Sequence, residues 1–180
     1  MKRIWCAAAL VLSACNPQPK HITQNAATPS PSPSGMPALK ITGQGTAKHP
    51  AVFTGQSGNR KVYQLVTRSW SSRSAQSIAQ GTFKEPTVTF YDKDGTKMTA
   101  KAPVASLQGN GKEVILSGGV HAKTNTGLDL ACDRLTYDQS TALLHGDGHV
   151  RITGMQGGQQ QELTGNSFTS DIKLTQMVMK

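Results

Sequence analysis

The sequence predicts an all-β domain built from a repeated antiparallel strand pair. Two observations carry this. First, apolar and polar residues alternate with period two. Leu128, Leu130 and Cys132 alternate with Asp129, Ala131 and Asp133; Val150 and Ile152 with His149, Arg151 and Thr153; Val88 and Phe90 with Thr87 and Thr89. A sheet with one buried and one wet face has this pattern. Second, Leu65, Met98, Leu130 and Leu163 recur every 32 or 33 residues. That is the spacing of a repeat architecture, in which stacked units bury a shared interior. The two clearest copies lie within residues 96–152, and no stretch sustains a helical period.

The N-terminus reads as an export signal. Met1-Lys2-Arg3 is positively charged, and residues 4–11 form an apolar run too short to span a bilayer. Leu12-Ser13-Ala14-Cys15 follows. Small residues before a cysteine resemble the lipobox of bacterial lipoproteins, where the thiol carries diacylglycerol and the peptide is cut before the cysteine. Residues 1–14 are therefore expected to be a lipoprotein signal peptide and Cys15 the lipid anchor. An ordinary secretory peptide that happens to contain Cys15 would export the chain equally. Residues 15–59 are rich in Pro, Ser, Thr, Gln and Gly and are expected to be a disordered tether. The folded domain is expected over 60–180.

The formal net charge of +9 and sequence pI of about 9.7 would by themselves permit a nucleic-acid partner. An exported chain has no access to one, and none is expected. Of the three cysteines, Cys6 leaves with the signal and Cys15 is acylated. Cys132 is left alone on an apolar face, as a small core residue with no disulfide partner.

Within the domain, residues 62–67 open the sheet. Trp70 holds the position that Pro103, Leu135 and Phe168 hold in later copies, and is expected inside. Strand 87–91 ends at the hairpin turn Asp92-Lys93-Asp94-Gly95. Asn110-Gly111, residues 125–127 and Gly146-Asp147-Gly148 read as further turns. The last strand is expected over 173–179, with its outer edge unpaired. No catalytic residue is expected: there is no nucleophile elbow, phosphate loop or HExxH. His145, Asp147 and His149 straddle glycines and make a poor metal set. The chain reads as a non-enzyme without metal or cofactor.

Several short motifs occur in order: Phe83-x-x-Pro86, a strand ending at Tyr91, Asp94-Gly95, Met98-x-Ala100, Leu116-x-Gly118-x-Val120, Gly127-x-x-Leu130 and Leu135-x-Tyr137-Asp138. Their order and spacing over residues 62–178 resemble the LptC family of lipopolysaccharide-export proteins. The resemblance implies an open β-jellyroll, a V-shaped folded sheet with an apolar trough. It implies that lipopolysaccharide is accepted from the subunits of an inner-membrane ABC exporter and handed to an LptA-like bridge protein by edge-strand pairing. It places the chain in the periplasm, at the inner membrane in preference to the outer. The lipid anchor would stand where the family usually has a transmembrane helix. The residues expected to line the trough are Leu65, Val88, Phe90, Met98, Ala100, Val114, Leu116, Val120, Leu128, Leu130, Leu135, Tyr137, Val150 and Ile152. The expected partner edge is Lys173, Leu174, Thr175, Gln176, Met177 and Val178. The same apolar residues would equally fill a closed core, in an LptA-like bridge or a structural envelope lipoprotein of stacked strands.

Overall fold

The computed structural model describes residues 38–42, 45–46, 48–72 and 81–180. The signal segment, Cys15 and the tether as far as residue 37 lie outside the described residues. Among the described residues thirteen strands follow in order. They are β1 (Ala38–Thr42), β2 (Ala51–Ser57), β3 (Arg60–Thr67), β4 (Ser69–Ser72), β5 (Gly81–Lys84), β6 (Thr87–Tyr91) and β7 (Lys97–Lys101). Then come β8 (Val104–Gln108), β9 (Glu113–Thr124), β10 (Asp129–Asp138), β11 (Leu143–Gln156), β12 (Gln159–Ser170) and β13 (Met177–Met179). All pair antiparallel in one sheet, and the described residues contain no α-helix.

The sheet is folded into two walls that share four long strands. β9 pairs with β7 through residues 121–124 and with β8 through residues 113–117. One wall therefore runs β1-β2-β3-β6-β7 and the other β4-β5-β8, and both continue into halves of β9 to β12. A column of irregularities marks the crease. Gly118 and Gly119 lie opposite Asp133, because the β9–β10 register jumps between Ser117–Arg134 and Val120–Cys132. Gly148 and His149 interrupt the β11–β12 register between Asp147 and Val150. All four residues have positive φ, between 44° and 93°. Such bulges bend a strand sharply while keeping its flanks paired. Pro103, between β7 and β8, packs beside the bulge at Gly118.

Three expectations are corrected. The sheet begins at Ala38, not near residue 60. β1 and β2 lie inside the Pro/Ser-rich stretch, where Ala51, Phe53 and Gly55 alternate as buried residues and Gly58-Asn59 turns the chain into β3. Gly146-Asp147-Gly148 is a bulge inside the continuous strand β11, not a turn; the hairpin turn comes later, at Gly157-Gly158. The last strand has three residues, so Lys173, Leu174, Thr175 and Gln176 lie in the turn before it and only Met177 and Val178 of the expected edge are in a strand.

The repeat has a simple structural meaning. Leu65, Leu130 and Leu163 fall in one transverse row, and Trp70, Leu135 and Phe168 in another. Met98 and Pro103 of the second copy fall two residues short of these rows, where Ala100 and Ala105 stand.

Candidate functional site: the apolar interior between the walls

Opposed residues in an antiparallel ladder share a face, so the interior can be followed strand by strand. In the first wall the row is Ile41, Phe53, Leu65, Val88, Ala100, Ala122, Leu130, Ile152 and Leu163. In the second it is Trp70, Phe83, Ala105, Leu116, Leu135, Gly146, Phe168 and Met179. Neither row contains a charged residue.

The two rows meet at the β2–β5 end. The Phe53 ring sits edge-on to Phe83 at 4.7 Å and to Trp70 at 5.5 Å. Trp70 is only partly buried but packs on the core, as its place in the repeat implies. In the middle, Tyr137 of the second wall lies 4.8 Å from Phe90 and 6.5 Å from Tyr63 of the first. The Tyr63 hydroxyl donates to the Gly111 carbonyl at 2.7 Å, and Gln139 Nε2 to the Gln56 carbonyl at 2.9 Å. Both bonds cross between the walls. Burial pushes the Tyr63 phenol above its ordinary range and the Tyr137 phenol up to about 12. Tyr63→Phe is expected to leave a buried carbonyl without its donor and to lower stability by about 1–2 kcal/mol, read as a shift in the urea midpoint at unchanged m-value.

Of the expected lining residues, all but Leu128 are buried, most of them completely. Leu65, Val88, Ala100, Leu130 and Ile152 lie in the first row and Leu116 and Leu135 in the second. Phe90 and Met98 pair in the neighbouring row with Tyr63. Val114 and Tyr137 pair beside Leu107 and Leu144. Val120 and Val150 flank the crease. Leu128 is half-buried over Gly154. Cys132 is also interior; burial pushes its thiol up to about 12, so it is inert as a nucleophile. Phe53, Tyr63, Phe83, Leu107, Leu144, Phe168, Ile172 and Leu174 are core residues outside the expected lining. The 33-residue step from Leu135 to Phe168 would have found one of them.

At the β12 end the first row leaves the core. Ile152 is 4% exposed, whereas its partner Leu163 is 52% exposed. The buried row thus runs without interruption from the aromatic end to an apolar side chain in solvent. The adjoining edge is also free. Among the described residues, Gln159–Gly165 of β12 pair only with β11, because β13 covers only the C-terminal part of β12.

A family model described as lipopolysaccharide-assembly, LptC-related, matches residues 18–180. The chain belongs to the LptC family. No curated protein matches it. Membership makes this LptC protein a component of lipopolysaccharide transport rather than an enzyme, acting in the periplasm in association with the inner membrane and the transport partners. The all-β folded sheet agrees with the jellyroll expected of the family. The match also takes in β1 and β2, which the sequence motifs did not reach. Among the described residues no helix is long and apolar enough to cross a membrane.

On the outer face, His149 Nδ1 lies 2.7 Å from Asp133 and His145 Nε2 3.1 Å from Asp147. The first pair joins β11 to β10 at the crease and the second lies within β11, and no group of three potential ligands forms among the described residues.

Proposed function

We propose that this LptC protein carries the acyl chains of lipopolysaccharide between its two walls, receives them from an inner-membrane ABC exporter and passes them out at the β12 end to an LptA-like bridge protein. The observation that carries the proposal is the unbroken apolar row from Phe53 to Leu163, buried along its length and exposed at its last member. Burying a lipid methylene contributes about 0.8 kcal/mol. An aliphatic surface without polar groups therefore holds chains firmly without fixing their register, which suits sliding. A bridge protein would dock by adding a strand to the free edge of β12 and β13, which moves the partner edge from residues 173–178 towards 159–165 and Met177–Met179. Its own apolar face would then continue the row past Leu163.

The test is site-specific photocrosslinking in cells. A crosslinking residue at Leu163 or Leu128 is expected to capture lipopolysaccharide, and one at the outer-face residue Arg134 is not. Capture at all three sites alike, or at none, would sink the proposal.

Attachment by Cys15 supplies the membrane association in this reading. Cys15→Ala is expected to leave the precursor uncleaved and without lipid, whereas the parent protein starts at Cys15 with a diacylglycerol mass. Intact-mass spectrometry of the N-terminus checks it. A parent chain that starts beyond Cys15 without lipid removes the anchor from the proposal.

A further inference from the structure

The segment between β12 and β13 turns two of its side chains into the core. Ile172 and Leu174 are 2% and 5% exposed and belong to the same buried cluster as Phe90 and Met98. Between them, Lys173 reaches the β6–β7 turn of the opposite wall, with its Nζ 2.9 Å from Asp94 Oδ2 and 3.3 Å from Asp92 Oδ2. The Thr96 N–H and the Lys173 ammonium together hold the Asp94 carboxyl well below the usual carboxylate range.

The segment is also a preformed unit. The Asp171 carboxylate accepts from the Thr175 N–H at 2.9 Å and from the Thr175 hydroxyl at 2.8 Å, and the Leu174 N–H donates to the Asp171 carbonyl at 3.2 Å. Among the described residues, no backbone hydrogen bond joins residues 172–176 to either wall. Two apolar side chains and one doubly paired lysine attach it. Leu174 is held at φ +60°, a left-handed conformation that a branched side chain adopts only under strain. An element that is compact in itself, strained, and bound by few contacts is suited to leave as a body.

We propose that residues 171–176 are an internal plug: Ile172 and Leu174 occupy space that acyl chains take during transport, and the Lys173 pairs with Asp92 and Asp94 latch the plug shut across the two walls. The plug rests on the lipid-carrying function proposed above and adds a control to it. Binding is then a competition between lipid and the protein's own side chains. The apparent affinity is the intrinsic affinity scaled by the fraction of molecules with the plug out. Weakening the latch raises that fraction and tightens binding, even though it removes native contacts. A loop that merely caps a closed core behaves oppositely, losing stability with no gain in affinity.

The experiment uses the full mature chain, with cis-parinaric acid and lipid A as probes. Asp92→Asn combined with Asp94→Asn, and separately Lys173→Gln, each release the latch with little change in shape. Both are expected to bind the probes three- to tenfold more tightly than the parent. Asp129→Asn, which breaks the unrelated Lys123–Asp129 pair, is expected to leave affinity unchanged. Hydrogen exchange adds a second readout: lipid A should deprotect the Leu174, Thr175 and Gln176 amides while β9–β12 stay protected. If the parent binds both probes and the latch variants bind within twofold of it, with the loop amides still protected, the plug is wrong and lipid carriage stands. If neither the parent nor any latch variant binds either probe, lipid carriage fails and the plug falls with it.

Discussion

Leu116→Asp is expected to abolish lipid binding and to destabilise the domain by about 4 kcal/mol, within the range for leaving an uncompensated charge in a protein interior. Leu116 is fully buried at the centre of the second wall, between Ala105 and Leu135. No cation stands in its row to pair with a carboxylate. Burial raises the carboxyl's pKa in the folded state above its unfolded value of about 3.9. As pH falls towards that value, the folded state retains a proton that the unfolded state has released, so the penalty shrinks. Urea melts should therefore show a smaller gap to the parent at pH 4.5 than at pH 7.5, the remainder being the lost leucine packing and the unpaired neutral carboxyl. Leu163→Asp separates function from folding. Its side chain is already in solvent, so stability should stay within about 0.5 kcal/mol of the parent, while lipid handover drops. Unchanged handover in Leu163→Asp, with Leu116→Asp still inactive, would show that chains do not leave past β12.

Gly146→Val is expected to lower stability by about 3 kcal/mol, the upper part of the range for overpacking. Gly146 is not a turn glycine. It faces Phe168 across the β11–β12 ladder, and a Cβ there would lie 2.0 Å from the Phe168 ring. The ring is buried and cannot swing out of the way. Phe168→Leu combined with Gly146→Val should recover part of the loss, which a double-mutant cycle in urea measures as a positive coupling. Additive losses would mean that the notch is not filled by the ring. Gly55 repeats the device in the first wall, where a Cβ would lie 2.1 Å from the Tyr63 ring.

The repeat and the interior face were legible because period-two alternation and the recurring step from Leu65 to Leu163 are both consequences of sheet geometry. Alternation names a face, however, not what covers it. Burial of Leu65, Leu116 or Leu135 depends on the second wall, which is brought opposite by the crease. The crease is not legible from residue types alone, because Gly-Asp-Gly supplies positive φ equally to a hairpin turn and to a bulge. β1 and β2 are masked in the sequence because their short alternations sit among prolines and serines, whose composition argues for a tether. Lys173–Gln176 continued a plausible strand pattern. The Asp171 carboxylate, which bonds Thr175 and Gln176 locally, ends that strand before it starts.

The four strands shared by both walls also set an order of assembly. β9, β10, β11 and β12 are joined by connections of four, four and two residues, so every pairing among them is between chain neighbours. Local pairings close small loops and form early. β4 and β5, by contrast, join the second wall only through β8 and β9, and β1 to β3 only through β6 and β7. The half of the domain that leaves the ribosome first is thus the half that needs the other as a template. Until the last seventy or so residues arrive, the strands that carry Phe53, Tyr63, Phe83 and Phe90 are not joined into two facing walls, and these rings are an apolar surface without its native cover.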